Sequence, residues 1–142
     1  MRVVANTNTV VSGLLWHGAP RQVLDAARDD VIELFTELFT STILLAELDD
    51  VLHRKKFAQR LALVNVTPRE LVFGYASLAT ITEPDAVSPV VLADPDDDAV
   101  LACASGAQAE VIVSGDSHFL SLKDYKEIHI LTAAELLTRI SI

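Results

Sequence analysis

The chain has 142 residues, 51% of them hydrophobic, and its formal net charge is −9. This length suits one domain with a substantial core, which we expect to span residues 1–142, and the hydrophobic fraction excludes a disordered chain. The negative charge excludes broad electrostatic binding of nucleic acid, although acids gathered around a metal ion add to it without repelling a substrate once the ion is bound.

From the sequence we expect neither a membrane span nor an export signal. No apolar run reaches the length of a membrane span and the start lacks a signal-peptide pattern, so we expect a cytoplasmic protein with no membrane contact. The single cysteine, Cys103, has no second cysteine with which to form a disulfide. It lies among alanines in a predicted helix, where we expect a buried, inert thiol.

The first half of the chain alternates short apolar runs with segments of helical periodicity. In chain order these predict a strand at Arg2–Ala5, a helix around Val10–Leu15, a helix from Ala19 to about Phe35, a strand at Glu37–Thr40 and a helix that begins at Ser41 or Thr42. Glu47 lies on this last helix, amid its apolar positions.

The second half continues the alternation. In chain order we predict a helix from Thr67 to about Ala79, a brief strand at Ile81–Thr82, a helix that starts at Pro95 and ends at Gly106, a strand at Glu110–Val113, a short turn or helix at His118–Leu122, a strand at Ile128–Leu131 and a helix from Thr132 to about Ile140. Strands that alternate with helices imply an α/β fold whose parallel sheet is covered on both faces.

The stretch Asp94–Asp98 places four aspartates within five residues. Asp94 suits an N-cap, Pro95 suits the first helical position, and acids favour the first turn of a helix. Capping would use one or two of these acids. The remaining aspartates indicate a site at which carboxylates bind a cation.

Ligands of an open parallel sheet bind beyond the carboxyl ends of its strands, near the switch in strand order. Polar side chains follow two predicted strands, with Asn6 and Asn8 after the first and Ser114 and Asp116 after the second. Asp98 lies at the start of a helix, and Glu47 can join them from another helix. This all-oxygen set suits Mg²⁺ or Mn²⁺ and not Zn²⁺. Such ions assist the cleavage of phosphodiesters.

Each of these residues also has a structural interpretation. Asp98 would serve as an ordinary first-turn acid, Asp116 and the two asparagines as turn residues, and Glu47 as a solvated helix acid. Four of the eleven basic residues cluster in one segment, at Arg54, Lys55, Lys56 and Arg60. They form either a solvated helix end or a strip that contacts RNA phosphates.

The order of these features resembles the PIN-domain ribonucleases, and in particular the toxin components of type II toxin–antitoxin pairs. The matching pattern is a strand followed by Asn6-Thr7-Asn8, the helix-borne Glu47, the Asp94–Ala99 stretch, and a strand followed by Ser114-Gly115-Asp116. The segment Arg54-Lys55-Lys56-Phe57 adds to the likeness, which extends from Met1 to about Ala134.

The resemblance implies a three-layer α/β/α sandwich around a parallel sheet of four to five strands. It also implies an RNA substrate cleaved with Mg²⁺ or Mn²⁺, a homodimer, and a cognate antitoxin protein. Glu47, Asp98 and Asp116 match the metal-binding acids of the family, and Ser114 matches the polar residue before the last acid. Asp96 and its neighbour Asp97 are expected to support them.

Asn6 departs from the family pattern, since it stands where the family has its first aspartate, while Asn8 matches the usual asparagine. An amide oxygen can still bind a metal, but it brings no charge, and a carboxylate–cation contact near 4 Å is worth roughly 4 kcal/mol at an effective dielectric of 20. The alternative is therefore a catalytically inactive PIN domain that binds protein or RNA. A phosphatase is disfavoured, because Asn6 and Asn8 are both amides.

Overall fold

A computed structural model of the chain describes residues 1–29, 36–85 and 95–140, with side chains from residue 97 onward in the last range. Its strands are β1 (Arg2–Ala5), β2 (Glu37–Thr40), β3 (Thr80–Ile81), β4 (Val111–Val113), β5 (Asp124–Tyr125) and β6 (Ile128–Leu131). Its helices are α1 (Thr7–Leu15), α2 (Ala19–Asp29), α3 (Thr42–Leu52), α4 (Ala58–Val64), α5 (Pro68–Leu78), α6 (Pro95–Ala107), α7 (Ser117–Leu120) and α8 (Ala133–Ile140), and a 3₁₀ turn at Lys55–Phe57 precedes α4.

The strands form one twisted sheet in the order β3-β2-β1-β4-β6-β5. Every neighbouring pair is parallel except β5 and β6. The chain moves from β1 outward to β2 and β3, and later returns to place β4 on the other side of β1. The switch in strand order therefore lies between β1 and β4, where Ala5 pairs with Val113.

Alternation along β1 assigns the helices to two layers, because successive side chains of a strand point to opposite faces. Val3 and Ala5 belong to the core that α1 to α5 and α8 cover. Val4 belongs to the core under α6 and α7. This confirms the predicted three-layer α/β/α fold. Within the described residues the sheet has six strands instead of four to five, because a hairpin adds the two-residue strand β5.

Three helices begin with the side-chain caps that the sequence predicts. Ser41 accepts the Leu44 N–H at 3.2 Å, and Thr67 accepts the Glu70 N–H at 3.1 Å. Thr132 and Glu135 form a reciprocal capping box at the start of α8, with both hydrogen bonds near 3.0 Å. These bonds satisfy backbone donors that the first turn of a helix leaves without partners.

The C-terminal end of α1 is capped from three directions. The last four carbonyls of a helix have no partner within it. Here the Trp16 N–H donates to the Ser12 carbonyl at 3.0 Å, Arg21 donates to the carbonyls of Gly13 and Leu14, and Arg60 donates to the carbonyl of Leu15 at 2.7 Å. All four carbonyls of the last turn are thus satisfied.

Helix α6 begins at Pro95 as predicted, but the prediction that Gly106 ends it is wrong. The helix continues to Ala107, and Gln108 follows in the left-handed region with φ of 53°. Gly106 instead lies where the backbone of Glu83 crosses the helix, and a Cβ there would overlap the Glu83 carbonyl oxygen. The Asp85 N–H donates to the Ala102 carbonyl at 3.0 Å and fixes this crossing.

Some predictions fall beyond what the structure describes. Helix α2 is described as far as Asp29, so the predicted continuation to Phe35 lies outside the described residues, as does the capping role of Asp94. Helix α4 was not predicted. No helix among the described residues is long and apolar enough to cross a membrane.

The prediction of a buried thiol is confirmed. Cys103 is fully buried, and burial raises the pKa of its thiol to about 11, against a smaller opposing effect of a hydrogen bond with Ser41. The reactive thiolate form is therefore suppressed at neutral pH.

Candidate functional site

A polar cleft opens at the carboxyl ends of β1 and β4, at the switch in strand order. This is the position at which the sequence predicts a ligand site. Its walls come from the starts of α1, α6 and α7 and from the second half of α3. The cleft is lined by Asn6, Thr7, Asn8, Glu47, Val51, Arg54, Asp97, Val100 and Asp116.

Asn6 forms the floor of the cleft and is only 6% exposed. It is the N-cap of α1, and its Oδ1 accepts hydrogen bonds from the Thr9 N–H at 3.1 Å and from the Thr9 hydroxyl at 2.6 Å. Because a backbone N–H requires an acceptor, these bonds fix which end of the amide is oxygen. They also use both lone pairs of that oxygen. The oxygen of Asn6 therefore serves the helix in this conformation, and its predicted role as a metal ligand stays a prediction.

Ser114 joins the ends of β1 and β4. Its Oγ accepts hydrogen bonds from Asn6 Nδ2 and from the Asp116 N–H, both at 3.0 Å, and the residue is almost fully buried. Asp116 Oδ1 in turn accepts the His118 N–H at 2.8 Å and caps α7. The predicted supporting residue and the predicted acid thus lie side by side at the cleft.

Glu47 reaches the cleft from α3, with Val51 one helical turn further along. The residue is half-buried, and its Oε2 atom is buried. Arg54 lies just after His53, the C-cap of α3, and lines the cleft, where it forms an exposed ion pair with Asp50 at 3.6 Å. Arg54 was predicted as a phosphate contact, and the structure places it beside the carboxylates.

Asp97, and not Asp98, faces the cleft. Asp97 is 6% exposed and lines the cleft together with Val100, whereas Asp98 is half-buried and is not among the lining residues. Successive residues of a helix are about 100° apart around its axis, so neighbouring aspartates cannot share one face. The side chain of Asp96 lies outside the described residues.

The sequence also distinguishes the two aspartates. Asp97 precedes the buried residues Val100, Leu101 and Ala104 by three, four and seven positions, the spacing of one helical face. Asp98 does not have this relation to all three. The metal-binding role that the resemblance implies for Asp98 stays a prediction, and the periodicity of α6 favours Asp97 for that role.

The donors of the cleft suit a hydrated hard cation. They are the carboxylates of Glu47, Asp97 and Asp116 and the amide of the exposed Asn8. Among the described residues, no three His, Cys, Asp or Glu side chains lie close enough together to hold an ion by themselves. Mg²⁺ usually keeps several waters and binds through one or two carboxylates together with substrate phosphates. The residues present therefore fit such an ion without forming a closed cage.

The other three residues of the predicted basic strip are not among the residues that line the cleft. Lys55 and Lys56 belong to the 3₁₀ turn, and Arg60 binds the Leu15 carbonyl at the far end of α1. The guanidinium of Arg60 lies 5.4 Å from the centre of the Trp16 ring. The predicted basic strip thus starts at the cleft with Arg54 and leads away from it.

Comparison with known proteins identifies one family. A family model described as PIN domain matches residues 2–118, a range that contains every residue lining the cleft. A search of curated proteins finds no match. Because the family model covers most of the chain, the protein belongs to the PIN domain family.

Proposed function

We propose that this protein is a metal-dependent endoribonuclease that hydrolyses RNA phosphodiesters in the cleft between β1 and β4. PIN domains are generally nucleases and typically use divalent metal ions. The observation that carries the proposal is the convergence of Glu47, Asp97 and Asp116 on one polar cleft at the switch in strand order.

In this proposal the three carboxylates would hold Mg²⁺ or Mn²⁺ partly through the waters of the ion, since they do not lie close enough together to hold it by themselves. The bound ion would stabilise charge on the phosphodiester and make water a stronger nucleophile. Asp116 is oriented by its N–H bond to Ser114 and by the His118 N–H. Arg54, at the rim, would contact a substrate phosphate, where its planar guanidinium can bind two oxygens.

Asn6 is the reason to expect weak metal binding. An aspartate there would add a fourth negative group to the cleft, whereas the amide adds none. We therefore expect low affinity for Mn²⁺ and slow cleavage. The second candidate is a PIN domain that binds RNA or protein without cleaving it, and it is favoured by the two hydrogen bonds that occupy the Asn6 oxygen.

The biological role that we propose is the toxin of a toxin–antitoxin pair, acting in the cytoplasm as a homodimer. Support comes from the resemblance of the ordered acids and of the Arg54–Phe57 segment to that branch of the family. The net charge of −9 suits a basic antitoxin. A small reading frame for a basic protein beside the gene would support this pairing.

The decisive experiment restores the missing carboxylate with Asn6→Asp. The aspartate can still accept the Thr9 N–H, and Ser114 can donate its hydroxyl proton to the second oxygen while it accepts from Asp116. Isothermal titration with Mn²⁺ should show affinity increased tenfold or more, and cleavage of a panel of RNAs should become faster.

The matched control is Asn65→Asp, which adds the same charge at the exposed C-cap of α4. If Asn6→Asp changes neither the Mn²⁺ affinity nor the cleavage rate, the site assignment is wrong. If both forms bind RNA but neither cleaves it at any Mn²⁺ concentration, the protein is a binding module.

A further inference from the structure

A second groove lies at the C-terminal end of α1, one helix length from the cleft. It is lined by Trp16, Lys56, Gln59, Arg60, Ala62 and Leu63. Trp16 is the one tryptophan of the sequence and is 40% exposed. A large aromatic ring that remains this accessible on a folded protein is a candidate contact for a ligand.

The indole ring of Trp16 is held in place from its protein side. The Arg60 guanidinium lies 5.4 Å from the ring centre and is itself fixed by the hydrogen bond to the Leu15 carbonyl. Phe57 meets the indole at an angle of 61°, with 6.2 Å between ring centres. The ring is therefore oriented before any ligand arrives, while part of its surface is open to a planar partner.

The charge around this ring is opposite to that of the chain as a whole. Lys56 and Arg60 line the groove, and none of the residues lining it is acidic. They belong to the segment that carries four of the eleven basic residues of a chain whose net charge is −9. A ligand that combines negative charge with flat rings complements this groove best, and single-stranded nucleic acid has both.

The same segment connects the groove to the cleft. Arg54 lines the cleft, and Lys56 and Arg60 line the groove. Helix α1 runs between the two with nine residues, a length of about 14 Å. That is the rise of about four stacked nucleotides, at roughly 3.4 Å each.

We propose that an RNA strand bound in the cleft continues along residues 54–60 and stacks one base on Trp16. Trp16 is then a substrate-positioning residue that lies remote from the reacting phosphate. This proposal rests on the proposed function, which places the reacting phosphate of the RNA in the cleft. Because every base has a flat face, the stack selects single strands over duplexes and is tolerant of sequence.

The fluorescence of Trp16 provides the direct test, since the sequence contains no other tryptophan. With Mg²⁺ present to neutralise the cleft, oligouridylates of four, eight and twelve nucleotides are titrated into the protein, and a gel of each sample establishes that the strand is still intact. The longer strands should quench the emission at lower concentration than the four-nucleotide strand. Inorganic polyphosphate, which has charge but no bases, should bind without quenching.

The variant test uses the anisotropy of a fluorescent twelve-nucleotide RNA. Trp16→Leu should weaken binding about 5- to 150-fold, the range expected for loss of one base–aromatic stack, and Trp16→Phe should lose less. The matched control is Lys126→Ala, which removes a cation lying 5.4 Å from the Tyr125 ring elsewhere on the surface and should leave affinity unchanged. Circular dichroism establishes that the variants are folded.

Each contrary outcome has a definite meaning. Binding of RNA without quenching, at equal affinity for wild type and Trp16→Leu, overturns the proposal. Quenching by a polyglutamate peptide but not by RNA also overturns it and identifies a protein-docking surface. Quenching with no cleavage in any metal leaves the stacking proposal standing and removes the enzyme. Cleavage by Trp16→Leu with an unchanged KM overturns the stacking proposal and leaves the proposed enzyme standing.

Discussion

Asn6 Nδ2 donates a hydrogen bond to Ser114 Oγ across 3.0 Å, and so ties the end of β1 to the end of β4 by side chains as well as by backbone. The two residues are 108 positions apart in the sequence. They meet only because the parallel sheet places both strand ends at one edge. The floor of the cleft therefore depends on this pair.

Ser114→Ala should destabilise the protein. The change leaves the buried Asn6 Nδ2 and the Asp116 N–H without their shared acceptor, and a loss of this kind lowers the free energy of unfolding by about 1–3 kcal/mol. Urea denaturation measures it, with Ser117→Ala at an exposed position of α7 as the control. Equal midpoints for the two variants would show that the bridge contributes nothing to stability.

The neighbouring aspartates of α6 should differ in function. Asp97→Asn removes a carboxylate that lines the cleft, so Mn²⁺ affinity and any RNA cleavage should fall tenfold or more. Asp98→Asn makes the same chemical change one position away and should alter both by less than about threefold, because a charge outside the cleft is more strongly screened by solvent. Titration calorimetry and cleavage rates on the two variants decide the matter. A larger effect at Asp98 would identify Asp98, and not Asp97, as the metal-binding acid.

Two helical glycines should respond oppositely to alanine. Gly106→Ala places a methyl group against the Glu83 carbonyl, and such overpacking should lower the free energy of unfolding by about 1–3 kcal/mol. Gly74→Ala on α5 meets no atom within 4 Å and should raise it by about 0.5–1 kcal/mol. Thermal unfolding of both variants tests the pair. A stabilised Gly106→Ala would mean that the crossing of Glu83 over α6 is misplaced.

The capping box of α8 should give the protein a pH-dependent stability. The Thr132 N–H and then the Thr132 hydroxyl lower the pKa of the Glu135 carboxyl. Since the folded pKa is below the unfolded value of about 4.3, the stabilisation is present above that pH and is lost as the pH falls through the folded pKa. The Tm difference between wild type and Glu135→Gln should therefore shrink as the pH falls below the unfolded pKa. Glu110→Gln is the control, and a Tm difference for Glu135→Gln that stays constant with pH would contradict the assignment.

The sequence predicted what depends on local signals and on the rules of parallel sheets. Ser41, Thr67 and Thr132 cap helices because their hydroxyls satisfy nearby N–H groups, and that can be recognised within four residues of sequence. The meeting of Asn6 with Asp116 follows from strand direction alone. Both kinds of inference need no knowledge of side-chain packing.

What the sequence did not reveal depends on exact rotation or on unusual turns. The aspartate run alone does not distinguish Asp97 from Asp98, because the choice depends on the rotation of α6 about its axis, which the spacing of the apolar residues after Asp97 indicates. The hairpin that creates β5 turns at Lys126 and Glu127, with φ of 47° and 69°. A turn with two positive φ angles is usually marked by Asn-Gly or Asp-Gly, and this one has neither.

The complete capping of α1 has a thermodynamic consequence for any ligand of this protein. With Asn6 closing its first turn and Arg21 and Arg60 closing its last, the helix has little freedom to fray. The entropy of ordering the wall between the cleft and Trp16 is then lost when the chain folds and not when a ligand binds. Preorganisation of this kind would let the proposed RNA strand bind with a larger share of its contact energy intact.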